Sequence, residues 1–153
     1  MEELEKILKT NTELPLSKKT ILNILITNTV FKEEIQSVLK PFDLSLEQFN
    51  VLRILRGQKG SPLNLQDIQD RMVSKMSNTT RLVDKLILKE YVERFTCEKN
   101  RRKVEIFITK KGLKALKELD TIIDDSENLL TSNLSKAELE QLNQLLNKLR
   151  TQT

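Results

Sequence analysis

The sequence predicts a mainly α fold with one small β-hairpin (α+β), and three observations carry that prediction. Apolar residues recur at three- and four-residue spacing through most of the 153 residues. Only the stretch 91–109 switches to a two-residue alternation rich in β-branched and aromatic residues. Three glycines and three prolines are too few for the many tight turns of an all-β chain.

Taken in order, residues 2–9 place Leu4, Ile7 and Leu8 on one face of a short helix. Residues 11–15 break it, and Ser17 is positioned to cap the next helix. From 18 to 40 the apolar set Ile21, Ile24, Leu25, Phe31, Ile35, Val38 and Leu39 predicts one long amphipathic helix, which Pro41 ends. Ser45 and Gln48 have capping-box spacing and open a helix carrying Leu46, Phe49, Leu52 and Leu55, which Gly57 closes. Asn64 caps a short helix, with Asp67 three residues on and Ile68 and Met72 inside. Ser74 then caps a helix running to about 89. Its expected buried face is Met76, Thr79, Val83, Leu86 and Ile87, and its outer face is Lys75, Ser77, Asn78, Arg81 and Lys85.

Two strands follow, YVERFTC and KVEIFIT, joined by EKNRR. Tyr91, Glu93, Phe95 and Cys97 share one side of the first strand, and Val92, Arg94 and Thr96 the other. From 110 a long helix carries Leu113, Leu116, Leu119, Ile122, Ile123, Leu129 and Leu130. Ser135 and Glu138 form a further capping box before a helix with Leu139, Leu142, Leu145, Leu146 and Leu149, a narrow helix–helix seam. Three flanking helices with apolar stripes exceed what one small domain buries, and a two-fold dimer is the simpler account.

The order of short helix, turn, helix and hairpin over 61–109 is that of a winged helix-turn-helix. Charge is concentrated there. Residues 53–114 hold 16 Lys or Arg against 7 Asp or Glu, a balance of +9, while the rest of the chain carries −5. A basic middle on an acidic frame fits a polyanion partner, and equally a solvated basic surface. On the outer helix face, Ser and Asn are short donors and acceptors, and Arg can bind guanine or phosphate bidentately. Lys99, Arg101, Arg102 and Lys103 crowd the hairpin tip without a packing reason, and a narrow electronegative minor groove supplies one.

Other classes lose their chemistry. There is no histidine, so Ser-His-Asp triads and the usual zinc sites are excluded. No glycine loop cradles phosphate, and no enzyme activity, cofactor or metal is expected. The single cysteine, Cys97, has no internal disulfide partner. No apolar run reaches the ~18 residues of a membrane span. The acidic, mixed N-terminal residues do not read as a secretory signal, so a cytoplasmic protein is expected.

Four stretches carry a family resemblance: LSLEQFNVLRIL at 44–55, PLNLQDIQDRM at 62–72, TRLVDKLILKEYVER at 80–94 and NRRKVEIFITKKG at 100–112. In this order and spacing the chain resembles the MarR-type regulators, the winged-helix family named for multiple antibiotic resistance, from about residue 17 onward. The resemblance implies one domain over 1–153, with dimerisation helices at 17–40 and 110–150 and a DNA-binding lobe at 44–109. It implies a homodimer on double-stranded DNA that places Ser74, Lys75, Ser77, Asn78, Thr80 and Arg81 of the recognition helix in the major groove. The wing would contribute Lys99, Asn100, Arg101, Arg102 and Lys103. Asn100 stands where the family usually has an aspartate that can hold a neighbouring arginine. The cysteine of peroxide-sensing relatives and the histidines of zinc-responsive ones are absent. That leaves a small apolar or phenolic effector between the dimer helices and the DNA-binding lobe, with Phe31, Phe42 and Phe49 as candidate walls, or no effector. The expected function is a repressor of a pseudo-palindromic operator, relieved by a small ligand. The alternative is a winged-helix protein-interaction module of antirepressor type. The basic wing argues against that alternative, because protein interfaces are depleted in lysine rather than enriched.

Overall fold

The computed structural model describes residues 3–97 and 100–151, with the backbone alone at 3, 97 and 100–103. The short helix α1 (Glu3–Ile7) buries Leu4 and is tied by Glu5, 3.0 Å from Lys19, to the long helix α2 (Leu16–Leu39). The cap of α2 is Pro15 rather than Ser17. Its extended backbone (φ −54°, ψ 141°) leads into the helix, and its carbonyl accepts from Lys19 N–H at 2.9 Å. Ser17 therefore lies inside the first turn. At the other end α2 stops at Leu39, and Pro41 sits in a tight 3-10 turn, Lys40–Phe42. That turn closes on Asp43 in the left-handed region (φ 52°), which a short polar side chain tolerates.

The helices α3 (Leu46–Gly57), α4 (Leu65–Arg71) and α7 (Lys136–Arg150) each begin at the expected capping box, Ser45–Gln48, Asn64–Asp67 and Ser135–Glu138 respectively. Between them come α5 (Thr79–Leu88), the strands β1 (Val92–Cys97) and β2 (Asn100–Ile108), and α6 (Lys110–Thr131). The strands pair antiparallel, with Val92 opposite Ile108 and Phe95 opposite Glu105, and the register shifts after Thr96. Val92 and Ile106 turn inward, while Phe95 and Phe107 meet edge-to-face on the outer side at 5.8 Å. A single bridge between Leu63 and Ile106 adds a third strand segment to the hairpin, with Leu63 N–H donating to Ile106 at 3.1 Å and Ile106 N–H returning at 2.8 Å.

One core joins these elements. Val51, Leu52 and Leu55 of α3, Ile68 and Met72 around α4, Val83 and Leu86 of α5, and Leu116 and Leu119 of α6 are all fully buried. Each contributes ~1.5–3 kcal/mol relative to exposure. Polar struts fix the long helices to this lobe. Arg56 of α3 donates to both oxygens of Asp120 on α6 at 2.9 and 2.8 Å. Ser126 of α6 donates to Glu34 of α2 at 3.2 Å. Gln36 of α2 grips the start of α3, donating to Leu44 O at 3.0 Å and accepting from Leu46 N–H at 3.2 Å.

The outermost helix is different. α7 buries none of its residues, and Leu142, Leu145 and Leu149 of its stripe are 42%, 56% and 50% exposed. Ile21, Leu25 and Phe31 of α2 and Ile122 and Leu129 of α6 are also exposed. The periodicity placed these residues on apolar faces, and the chain's own core leaves those faces uncovered.

Candidate nucleic-acid interface

The local chemistry of 73–81 sets where the candidate recognition helix begins. Asn78, not Ser74, is its cap, because the Asn78 Oδ1 accepts from Arg81 N–H at 3.0 Å. Ser74, Lys75 and Ser77 therefore lie in the turn between α4 and α5 rather than on the helix, with Ser77 N–H donating to Ser74 O at 3.2 Å. Met76, expected on the buried face, is exposed for the same reason: the helical phase on which that expectation rested starts only at Thr79. Thr79, Val83 and Leu86 are buried as expected, and Ile87 is half-buried.

Two side chains that sequence reasoning passed over hold this turn. Asn50 of α3 accepts from Val73 N–H at 2.9 Å. Gln69 of α4 donates to the Lys75 carbonyl at 2.5 Å and accepts from the Thr79 hydroxyl. The only sequence signal for them is polarity at positions close to the apolar stripe. Lys75 folds back so that its amine donates to the Asp70 carbonyl, and Ser77 keeps its hydroxyl enclosed, without a hydrogen-bond partner among the described residues. What remains presented is a polar face of Ser74, Asn78, Thr80, Arg81 and Lys85, all exposed. Ser74, Asn78, Arg81 and Lys85 line one groove of about 450 Å³, together with Met76 and Glu47. Fixed amide, hydroxyl and guanidinium donors on a helix face are suited to base edges and phosphates.

The hairpin is braced against the same helix. Arg94 of β1 lies 2.9 Å from Asp84 of α5, so an acid next to the basic face is neutralised from the wing. At the C-terminal end of α5, Lys89 pairs with Asp43 at 3.0 Å, linking it to the corner after α2. Lys111 donates to Glu90 at 2.7 Å, and this hydrogen bond, then the lysine's charge, holds the Glu90 carboxyl below the usual carboxylate range. Of the wing residues, Lys103 lies in the second strand as expected, and Asn100, Arg101 and Arg102 also belong to β2 rather than to the connection before it, since β2 reaches back to Asn100 opposite Cys97. Lys99 lies outside the described residues. The three candidate pocket phenylalanines are not equivalent. Phe49 is buried in the core, Phe42 packs partly buried against it, and Phe31 is 39% exposed on α2. No helix of the described residues is long and apolar enough to cross a membrane.

Comparison with known proteins agrees with this architecture. The MarR family model matches residues 44–104, the span from the start of α3 into β2. YpoP of Bacillus subtilis, an uncharacterized HTH-type transcriptional regulator, is 30% identical over 112 residues, covering 71% of this chain and 74% of that one. The transcriptional repressor MprA of Escherichia coli is 27% identical over 117 residues, covering 76% and 66%. The chain spans about half to two thirds of the length of the first curated relatives it matches. Among solved structures, a mutant of Escherichia coli MarR in complex with operator DNA superposes with a TM-score of 0.77 at 23% identity, over 99% of this chain and 100% of that one. These relatives are regulators rather than enzymes. On the extent of the YpoP match and the family model together, the chain belongs to the MarR family of transcriptional regulators.

Proposed function

We propose that this chain is a homodimeric, sequence-specific DNA-binding repressor that occupies a pseudo-palindromic operator and is released by a small apolar or phenolic ligand. The observation that carries the DNA reading is the exposed face of Asn78, Thr80, Arg81 and Lys85 on a helix whose leading turn is clamped from two other helices. Such clamping fixes the donors before DNA arrives, so little ordering cost falls on binding. The wing cations Lys99, Arg101, Arg102 and Lys103 then supply charge for an adjacent groove, with Asn100 as a neutral amide among them.

The dimer reading is supported by α7. A 15-residue helix with no buried residue is marginal in water, and its leucine stripe gains ~1.5–3 kcal/mol per side chain on full burial. A second copy supplies a like face, together with the exposed stripes of α2 and α6. Two recognition helices would then meet half-sites ~10 bp apart. Release follows if a ligand prefers a dimer geometry with the wrong helix spacing, and the Gln36, Glu34–Ser126 and Arg56–Asp120 links couple the long helices to the lobe.

Substitution at the two contact classes tests this. Arg81→Ala should cost ~1–3 kcal/mol of specific binding if it touches a base edge, read by fluorescence anisotropy. Equal weakening on operator and random duplex would make it a phosphate contact. Arg101→Ala with Arg102→Ala should flatten the dependence of log K on log salt by ~0.9 per lost contact, and an unchanged slope would remove the wing from the phosphates.

A further inference from the structure

Two large apolar side chains stand in solvent where the polar face of α5 begins. Val73 is 89% exposed and Met76 is 95% exposed. Their segment is not slack. The Val73 N–H donates to Asn50 of α3, Gln69 of α4 holds the Lys75 carbonyl between them, and Ser77 closes the turn on Ser74. Met76 also shares its groove with Asn78, Arg81 and Lys85, the candidate base-reading residues. A fixed turn that holds two large apolar groups outward forgoes their burial.

A nucleic-acid partner offers one apolar group on the edges of its bases in the major groove, the C5-methyl of thymine. We infer that Met76, with Val73 three residues before it, is a specificity-determining contact that reads thymine methyl groups beside the hydrogen-bonding contacts of Asn78 and Arg81. This rests on the DNA-binding reading above and adds to it a base preference that the polar face alone does not supply. Lys75 is the one charged residue between the two, and its amine is turned back onto the Asp70 carbonyl, which leaves the apolar pair unshielded.

The test uses the duplex that the full-length protein enriches from a random pool, with each thymine of a half-site replaced in turn by deoxyuridine, which removes only the methyl. Wild-type protein should lose about fourfold in affinity at one or two positions per half-site. Met76→Ala should bind the unmodified duplex about fourfold more weakly and be indifferent to uracil at one of those positions. Met76→Leu should restore much of the discrimination. Because Met76 is exposed, the melting temperature of Met76→Ala should match wild type, which separates a lost contact from a lost fold. Indifference of the wild type to every substitution, or full methyl discrimination in Met76→Ala and Val73→Ala, would overturn the inference while leaving site-specific binding intact. Failure of the pool to enrich any sequence would instead sink the DNA-binding reading, and this inference with it.

Discussion

Two glycines on helices should respond to alanine with opposite signs. Gly112 lies in the first turn of α6, where a Cβ would stand 2.4 Å from the Tyr91 carbonyl oxygen and 2.8 Å from Ile108 Cγ1. That carbonyl also accepts from Thr109 N–H at 3.0 Å, so it cannot retreat without stretching a hydrogen bond. Overpacking of this kind costs ~1–3 kcal/mol, and a weakened hydrogen bond adds ~0.5–1.5 kcal/mol. Relief of glycine's backbone entropy offsets ~0.5–1 kcal/mol. The net expectation for Gly112→Ala is a loss of ~1–3 kcal/mol. Gly57 ends α3 facing open space, where an added Cβ would meet nothing within 4 Å, so Gly57→Ala should gain ~0.4–1 kcal/mol. At ~2–4 °C per kcal/mol for a chain of this size, thermal melts at one fixed protein concentration should place Gly112→Ala ~2–12 °C below wild type. Gly57→Ala should melt slightly above it. A Gly112→Ala protein that melts at or above wild type would refute the close approach of α6 to the base of the hairpin.

Asn50→Ala removes the acceptor of the Val73 N–H, costing ~1 kcal/mol of stability. It should also weaken operator binding although Asn50 lies on α3. Melting and anisotropy on the same preparation check this, and unchanged binding would mean that Gln69 alone fixes the turn. The capping box of α7 should be pH-dependent. The Ser135 hydroxyl and backbone N–H hold the Glu138 carboxyl below the usual carboxylate range. Its folded-state pKa is therefore depressed, so its contribution is present above the unfolded value and is lost as pH falls through the folded one. Helicity followed by circular dichroism should show this loss on acidification, and Glu138→Gln should remove that component.

What could be read in the sequence was what local chemistry decides. Ser45–Gln48, Asn64–Asp67 and Ser135–Glu138 need only three-residue spacing to open their helices, and the two-residue alternation of 91–109 sufficed for the hairpin. The start of α5 was harder because Ser74 and Asn78 are both good caps. The choice is made by Asn50, 23 residues away from the Val73 it binds, and by Gln69. Arg56 and Asp120 are 64 residues apart, and no periodicity announces their pairing. The Leu63–Ile106 bridge is a single residue pair, too short for any strand pattern. The stripe of α7 was visible as a seam, but among the described residues nothing buries it. Of the candidate site, Arg81 stands on the exposed helix face where the pattern put it and Thr80 is exposed beside it, while Asn78 caps the helix instead of lying within it, Lys75 is turned back onto the Asp70 carbonyl, and Ser77 encloses its hydroxyl in the turn.

The proposed function requires a dimer that reads two half-sites. The most direct measurement is selection of full-length protein on random duplexes, followed by sedimentation of the protein with the enriched sequence at ~150 mM salt. Such a dimer should enrich an inverted repeat with half-sites ~10 bp apart, bound by two chains per duplex. A monomer bound to a single half-site, or no enriched sequence at all, would contradict it.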